Sequence, residues 1–408
     1  MRIRRIAPVV LAAAMGTSVL AAPSPAVAAD DTVELKATFN NPVGTVAERD
    51  AVRDELRSLI DRAPAASEIN GSVYLFTDSS VATALTAAKD RGVKVKVIVD
   101  GDALSNDGTQ YGVLKAALGT DLSADSWVLA CPASRGCVAG RTLHDTHTGS
   151  INHNKFFLFS KAGATEKVVF QTSANLTTTQ RKRYYNNAVT VPDAGSGLYA
   201  AYRAYWGDLR DKGSAGSGTD NYYLTQQSGP YKTYFFPRKE TSGTYDTNPG
   251  TDTVVSLLKN VDCADGATQI RIGMYAFTRV QVADKLVELK KAGCRVDVVH
   301  NGESGNIGTK VQSALAGKIT TLSRCAGTFV DSDGAAQAIG IHSKYMLIEG
   351  TYLGGTKRKL VFTGSHNYTF PNLRANDETL LKIDNAAVYD SYKANFESMR
   401  KGAYCNQY

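Results

Sequence analysis

The chain has 408 residues, 43% hydrophobic and 21% charged, with 46 Lys and Arg against 39 Asp and Glu and a formal net charge of +7. So mild a balance argues against a protein that coats nucleic acid, which needs a strongly basic face. The length suffices for two domains with full cores, and beyond the first residues no stretch reaches the roughly 18 apolar residues that span a bilayer.

The first 29 residues read as a secretory signal. Arg2, Arg4 and Arg5 make a basic start, Ile6 to Ala22 an apolar core, and Ala26-Val27-Ala28 a small-residue cleavage site. The Arg4-Arg5 pair also allows a twin-arginine export reading, although its surroundings fit that pattern poorly. An extracellular mature protein is expected, and losing the three arginines would leave a net charge of about +4. Six cysteines in an exported chain point to disulfides, and none shows the CxxC spacing of metal ligands.

A first strand is expected at Ala37-Thr38-Phe39, followed by Pro42. Thr45 and Glu48 form a capping box ahead of a helix with Val52, Leu56, Leu59 and Ile60 on its apolar face. Val73 to Phe76 reads as a strand, a helix then ends at Gly92, and Val93 to Val99 reads as a buried strand with Asp100 at its exit. Cys131 and Cys137 flank a short Pro/Gly loop that a local bridge would close. His144, Asp145 and His147 read as a solvated loop rather than a metal or substrate group. His153-Asn154-Lys155 then leads into the apolar run Phe156 to Phe159, and Ser173-Ala174-Asn175 follows about 20 residues after the histidine. Arg181-Lys182-Arg183 and Tyr184 to Asn187 close the half.

Asp211 to Asn221 is Gly/Ser-rich and reads as a linker between a first repeat at 30–210 and a second at 222–408. The second repeat follows the same plan. It has a strand at Lys232 to Phe236 followed by Pro237, a helix with Val254, Leu257 and Leu258, and a strand over Ile270 to Phe277. A helix ending at Gly293 and a strand over Arg295 to His300 come next. His342-Ser343-Lys344 precedes the run Tyr345 to Ile348, and Ser365-His366-Asn367 follows. Cys263 and Cys294 each precede a buried strand; if those strands are parallel neighbours, the two can bond. Of the three pairings open to the last four cysteines, this one leaves Cys325 with Cys405. Strands alternating with helices predict an α/β fold with a mostly parallel sheet in each half.

The repeated spacing carries the chemistry. In extended chain the His and Lys of each HxK point one way, and so do the Ser and Asn of each SxN. An imidazole, an ammonium, a hydroxyl and an amide converging on one spot suit a phosphate. A lone strand histidine would read as packing; two HxK segments, each with its SxN, read as a site. A metal there is disfavoured, because two lysines repel a cation and no carboxylate cluster accompanies them. His366 alternates away from the site and is assigned to packing, while Asp100 and His300 are candidates for the rim. With one gap, Glu378 aligns with Asn187, and a carboxylate there would accept the second N–H of an imidazole.

These motifs resemble the phospholipase D superfamily, whose signature is HxKxxxxD followed by GSxN, twice in one chain. The resemblance covers nearly all of the mature sequence. Two departures stand out: the signature Asp falls at Ser160 and Glu349, and the Gly before the first Ser is Thr172, whereas Gly364 keeps it in the second copy. The resemblance implies two halves about a pseudo-twofold axis, one shared active site, no cofactor and a phosphohistidine intermediate. It makes His153 the nucleophile, His342 the general acid, and Lys155, Lys344, Asn175, Asn367, Ser173 and Ser365 the phosphate ligands. The function expected is a phospholipase D acting as a monomer on the phospholipid membrane surface, with a secreted nuclease acting on nucleic acid as the alternative.

Overall fold

The computed structural model describes residues 31–141, 149–216, 218–241 and 248–408. The expected leader and the group His144, Asp145 and His147 lie outside the described residues. The first half runs β1 (Lys36–Phe39), α1 (Val46–Asp61), β2 (Glu68–Val73), α2 (Ser79–Asp90), β3 (Lys94–Val99), α3 (Tyr111–Leu118) and β4 (Trp127–Ala130). It continues with β5 (Lys155–Ala162), β6 (Thr165–Thr172), α4 (Thr178–Arg183), β7 (Tyr184–Tyr185), β8 (Asn187–Pro192) and α5 (Leu198–Ala215).

The second half runs β9 (Leu224–Ser228), β10 (Tyr231–Phe236), α6 (Thr253–Leu258), β11 (Val261–Asp262), β12 (Gln269–Met274), α7 (Val280–Lys291) and β13 (Arg295–Asn301). Then come α8 (Thr309–Leu315), β14 (Thr321–Cys325), β15 (Thr328–Val330), β16 (Ala336–Ala338), β17 (Gly340–Ile341) and β18 (Lys344–Tyr352). β19 (Gly355–Gly364), α9 (Phe370–Arg374), β20 (Glu378–Asp384), α10 (Ala386–Lys401) and β21 (Cys405–Gln407) end the chain.

Local chemistry accounts for the boundaries. The Thr45 hydroxyl accepts from the Glu48 N–H at 3.3 Å while the Glu48 carboxylate accepts from the Thr45 N–H at 2.8 Å, closing the capping box on α1. Gly92 at φ 89° and Gly293 at φ 110° end the turns after α2 and α7, and release the chain into β3 and β13.

The α/β class and the two matching halves hold, but the sheets are mixed rather than mostly parallel. One orders its strands β1-β8-β6-β5-β2-β3-β4 and the other β21-β14-β13-β12-β18-β19-β20-β10-β9. Parallel pairing joins β2 to β3 and β3 to β4, and likewise β12 to β13 and β13 to β14. The motif strands β5–β6 and β18–β19 are tight hairpins, which can only pair antiparallel. The stretch expected as a linker also begins later: Asp211 to Ala215 form the last turn of α5, whose buried face includes Tyr202, Trp206 and Leu209.

Strand alternation divides the apolar side chains between two cores. On β5, Phe156 and Leu158 face a central core that includes Tyr202 and Trp206 of α5, Leu381 of β20 and Phe396 of α10. Phe157 and Phe159 face the outer core under α1 and α2. On β18, Tyr345 and Leu347 join the central core, and Met346 and Ile348 an outer core under α6 and α7. The central core is thus shared by both halves and fixes their relative placement. Disulfides join Cys131 to Cys137, Cys263 to Cys294 beside the parallel pair β12–β13, and Cys325 to Cys405 across β14–β21.

Candidate active site

The two halves are stitched together next to their motifs. β17, just before His342, pairs in parallel with β7, and a matching bridge joins Asn152, just before His153, to Asp377. Backbone bonds extend each contact: His342 N–H donates to the Tyr185 carbonyl at 2.8 Å, and His153 N–H to the Asp377 carbonyl at 3.0 Å. Each histidine is therefore seated against a segment of the opposite half.

That segment supplies its orienting group. His153 Nδ1 lies 2.7 Å from Glu378 Oε1, and His342 Nδ1 lies 3.1 Å from Asn186 Oδ1. Glu378 is an acceptor, so His153 carries its proton on Nδ1 and keeps its Nε2 lone pair for attack, whereas His342 Nδ1 lies between Asn186 Oδ1 and the Lys344 ammonium, 3.0 Å away. The counterpart of Glu378 is Asn186, not Asn187. The register decides this: Thr172 pairs with Ala188 and Gly364 with Leu380, which sets Asn187 opposite Thr379 and Asn186 opposite Glu378. The sequence held the signal, since each orienter stands eleven residues after the Asn of its SxN when no gap is allowed.

The lysines and asparagines lie with the histidines, buried at the foot of the halves' meeting point. Lys155 and Lys344 Nζ each donate to the carbonyl of their own histidine at 2.7 Å. Asn367 Oδ1 accepts from the Ala276 N–H at 3.4 Å, which leaves its amide N–H groups for a ligand. Asn175 lines a cleft of 590 Å³ together with His153, His342, Tyr74, Tyr184 and Tyr275. Ser173 and Ser365 sit one residue past their strands, and their hydroxyls are committed to protein partners. Ser173 Oγ donates to Asn186 Oδ1 at 3.2 Å and Ser365 Oγ to Glu378 Oε2. Each also accepts a backbone N–H at 3.0 Å, from Asn187 and Thr379. The serines hold the orienters rather than face the cleft.

Tyr74 and Tyr275 are site residues that the sequence reading did not single out. Their rings lie 5.3 Å from His153 and 4.3 Å from His342, and Lys155 and Lys344 sit over them at 5.3 and 5.0 Å. A repeated Tyr-x-Phe, at Tyr74 to Phe76 and Tyr275 to Phe277, was the available clue.

The remaining expectations resolve as follows. Asp100 and His300 are buried, not on the rim. Asp100 matches Asn301: Asp100 accepts the Asn152 N–H at 2.6 Å and Asn301 the Ile341 N–H at 3.2 Å, each fixing the residue just before a site histidine. His300 bonds the Asn301 carbonyl and the Tyr408 hydroxyl, both at 2.7 Å. His366 packs on Phe236 with ring centroids 4.4 Å apart. At the signature Asp positions, Ser160 accepts the Glu68 N–H at 2.7 Å and Glu349 bonds Arg271 at 3.3 Å, so both serve the sheet. Thr172 replaces the motif glycine by accepting the Ala174 N–H at 3.0 Å with its own hydroxyl.

Electrostatically the site is short of negative charge. Burial, then repulsion from Lys155 and Lys344, holds His153 well below the usual histidine range. His342 is lowered by burial and the same two lysines. Burial brings Lys155 down to about 7 against the pull of Glu378, and lowers Lys344 with help from Lys155. Burial pushes Glu378 up to about 8 against Lys155. An oxyanion entering here would favour the charged forms of Lys155 and Lys344 and a protonated His342, the form a general acid needs. Among the described residues, no three His, Cys, Asp or Glu side chains gather in a metal-holding group.

The sequence matches the family described as "Cardiolipin synthase, PLD-like domain" over residues 56–206 and 258–400. It is 24% identical over 183 residues to a mitochondrial cardiolipin hydrolase of Chlamydomonas reinhardtii, covering 42% of this chain and 74% of that protein. The fold resembles a phosphatidylserine synthase of Haemophilus influenzae with a TM-score of 0.54, at 12% identity over 91% of this chain and 87% of the other. It also resembles a polyphosphate kinase of Porphyromonas gingivalis with a TM-score of 0.51, at 14% identity over 89% of this chain but only 50% of that one.

Proposed function

Because the chain belongs to the PLD-like domain family of the phospholipase D superfamily, we propose that it is a secreted phosphodiesterase that hydrolyses the head-group ester of glycerophospholipids through a phosphohistidine. His153 Nε2 attacks phosphorus, and the departing alcohol takes a proton from His342. Water then attacks the phosphohistidine and gives its proton to His342, releasing phosphatidic acid. His153 is the better nucleophile of the two because its Nδ1–H faces a carboxylate, which favours the cationic ring of the intermediate. His342 faces the neutral Asn186. Lys155, Lys344, Asn175 and Asn367 hold the non-bridging oxygens through both steps.

One observation favours lipid over nucleic acid. The basic run beside the cleft is neutralised: Arg181 pairs with Asp50 at 2.6 Å, Lys182 with Asp333 at 2.6 Å and Arg183 with Glu303 at 3.2 Å. On β19, ahead of the second SxN, Arg358 pairs with Asp384, and Lys359 with Asp390 at 2.7 Å. A nuclease draws most of its non-specific affinity from free cations along a groove. The purified protein, offered phosphatidylcholine vesicles and plasmid DNA in separate reactions with EDTA, is expected to release free head group and phosphatidic acid and to leave the DNA intact. Fast, salt-sensitive DNA cutting with untouched vesicles would replace this reading by the nuclease one.

A further inference from the structure

We propose that Asn372 is a positioning residue of the phosphoryl-transfer step, its amide holding the Glu378 carboxylate in line with His153 Nδ1 while phosphorus is bonded to Nε2. The inference rests on the histidine-dependent diester cleavage proposed above. Asn372 lies on α9, whose first turn is capped by Thr369. The Thr369 hydroxyl donates to Asn372 Oδ1, which turns the amide N–H groups the other way. Asn372 Nδ2 there donates to Glu378 Oε1 and lies 3.3 Å from His153 Nδ1. Ser365 donates to the second carboxylate oxygen, so Glu378 is held at both ends and Asn372 is 5% exposed.

The first half shows what this arrangement adds. Gln180 stands three residues after the cap Thr177, as Asn372 stands three after Thr369. It meets the orienter differently: its backbone carbonyl accepts from Asn186 Nδ2 at 3.1 Å. Asn186 is thereby fixed as a neutral acceptor for His342. The side chain of Asn372 instead donates into a carboxylate. The two half-sites share a backbone plan and differ in the charge they can support on the ring.

In the step itself, the His153 Nε2–P bond forms as the bond from phosphorus to the leaving oxygen breaks, and His342 gives that oxygen its proton. The ring, still protonated at Nδ1, is left positive and faces Glu378. That pair is surrounded by Lys155 from β5, Lys344 from β18, His342 before β18, His366 after β19 and Tyr205 from α5. Removing a donor to the carboxylate disfavours its ionised form, so a higher pH is needed to reach the reactive state of the pair.

Asn372→Ala and Asn372→Ser are compared with the wild type on a short-chain phosphatidylcholine and on bis(p-nitrophenyl) phosphate, with thermal melting as a folding control. For Asn372→Ala, kcat should fall roughly 10- to 100-fold, the size of one lost hydrogen bond to a charged group, with KM within about threefold. The acid limb of the pH profile should move up by about one unit, the size of one lost hydrogen bond to a charge. Asn372→Ser, which keeps a donor, should bring the limb part of the way back. A folded Asn372→Ala with lower kcat and an unmoved limb, or with full activity, overturns the proposal. Turnover of the synthetic diester but not the lipid would defeat the lipid reading and leave the Asn372 test readable. A wild type inert on both would remove both.

Discussion

At the scale of the residue, the proposed mechanism divides its labour between two imidazoles that cannot replace each other. His153→Ala and His342→Ala should each cut turnover by roughly 10³-fold or more, since one removes the proposed nucleophile and the other the proposed proton donor. Half the activity surviving in either variant would mean two independent sites. The lowered lysines and histidines of the site give a second expectation. At pH 8, above the value of about 7 for Lys155, binding of vanadate or phosphate should draw protons from solution, because the anion raises the affinity of its cationic neighbours for protons. Calorimetry in buffers of different ionisation enthalpy reads the number taken up, and a value of zero would contradict the electrostatics of the site. The eight repeated motif residues were legible because their spacing of two is copied in both halves. Asn372 was not, since its contact depends on how α9 packs on the other half, and Tyr74 and Tyr275 left only the short Tyr-x-Phe repeat at their strand exits. The serines misled for a related reason: their spacing matched the asparagines, but the chain leaves the strand just before them.

At the scale of the element, the second SxN turn depends on a glycine. Gly364 has φ 150°, and a Cβ there would lie 2.1 Å from the Thr379 carbonyl oxygen, which accepts the Ser365 N–H. Gly364→Ala should therefore cost at least about 2 kcal/mol, seen as a Tm lower by at least about 2 °C. Activity should fall further than stability, because Glu378 is adjacent to the displaced backbone; an unchanged Tm would show that the turn relaxes freely. The caps of α1, α2 and α7 could be read from the sequence, since Thr45, Gly92 and Gly293 act on their own neighbours. Strand direction could not. Helix-strand alternation describes β2-α2-β3 and β12-α7-β13, where pairing is parallel. It says nothing of the hairpins that carry the motifs, and these make the sheets mixed.

At the scale of the whole molecule, the proposed phosphate ligands are two lysines and two amides drawn equally from both halves. EDTA should leave turnover essentially intact; loss that one particular divalent ion restores would show that these side chains do not suffice. The duplication was legible because two copies of every early element could be laid side by side. The crossing of the orienters was not, because it depends on how the copies face each other. That crossing has a consequence for a severed chain. A fragment cut near residue 218 would keep its complete set of His, Lys, Ser and Asn, yet its imidazole would have lost the acceptor that fixes its proton. Each piece would be silent alone, and only their reunion would behave as a logical conjunction of both inputs. Cleavage in that segment should thus abolish turnover only when the pieces separate, and mixing the purified fragments should restore it. Measurable activity from one isolated piece would show that a half can orient its own histidine.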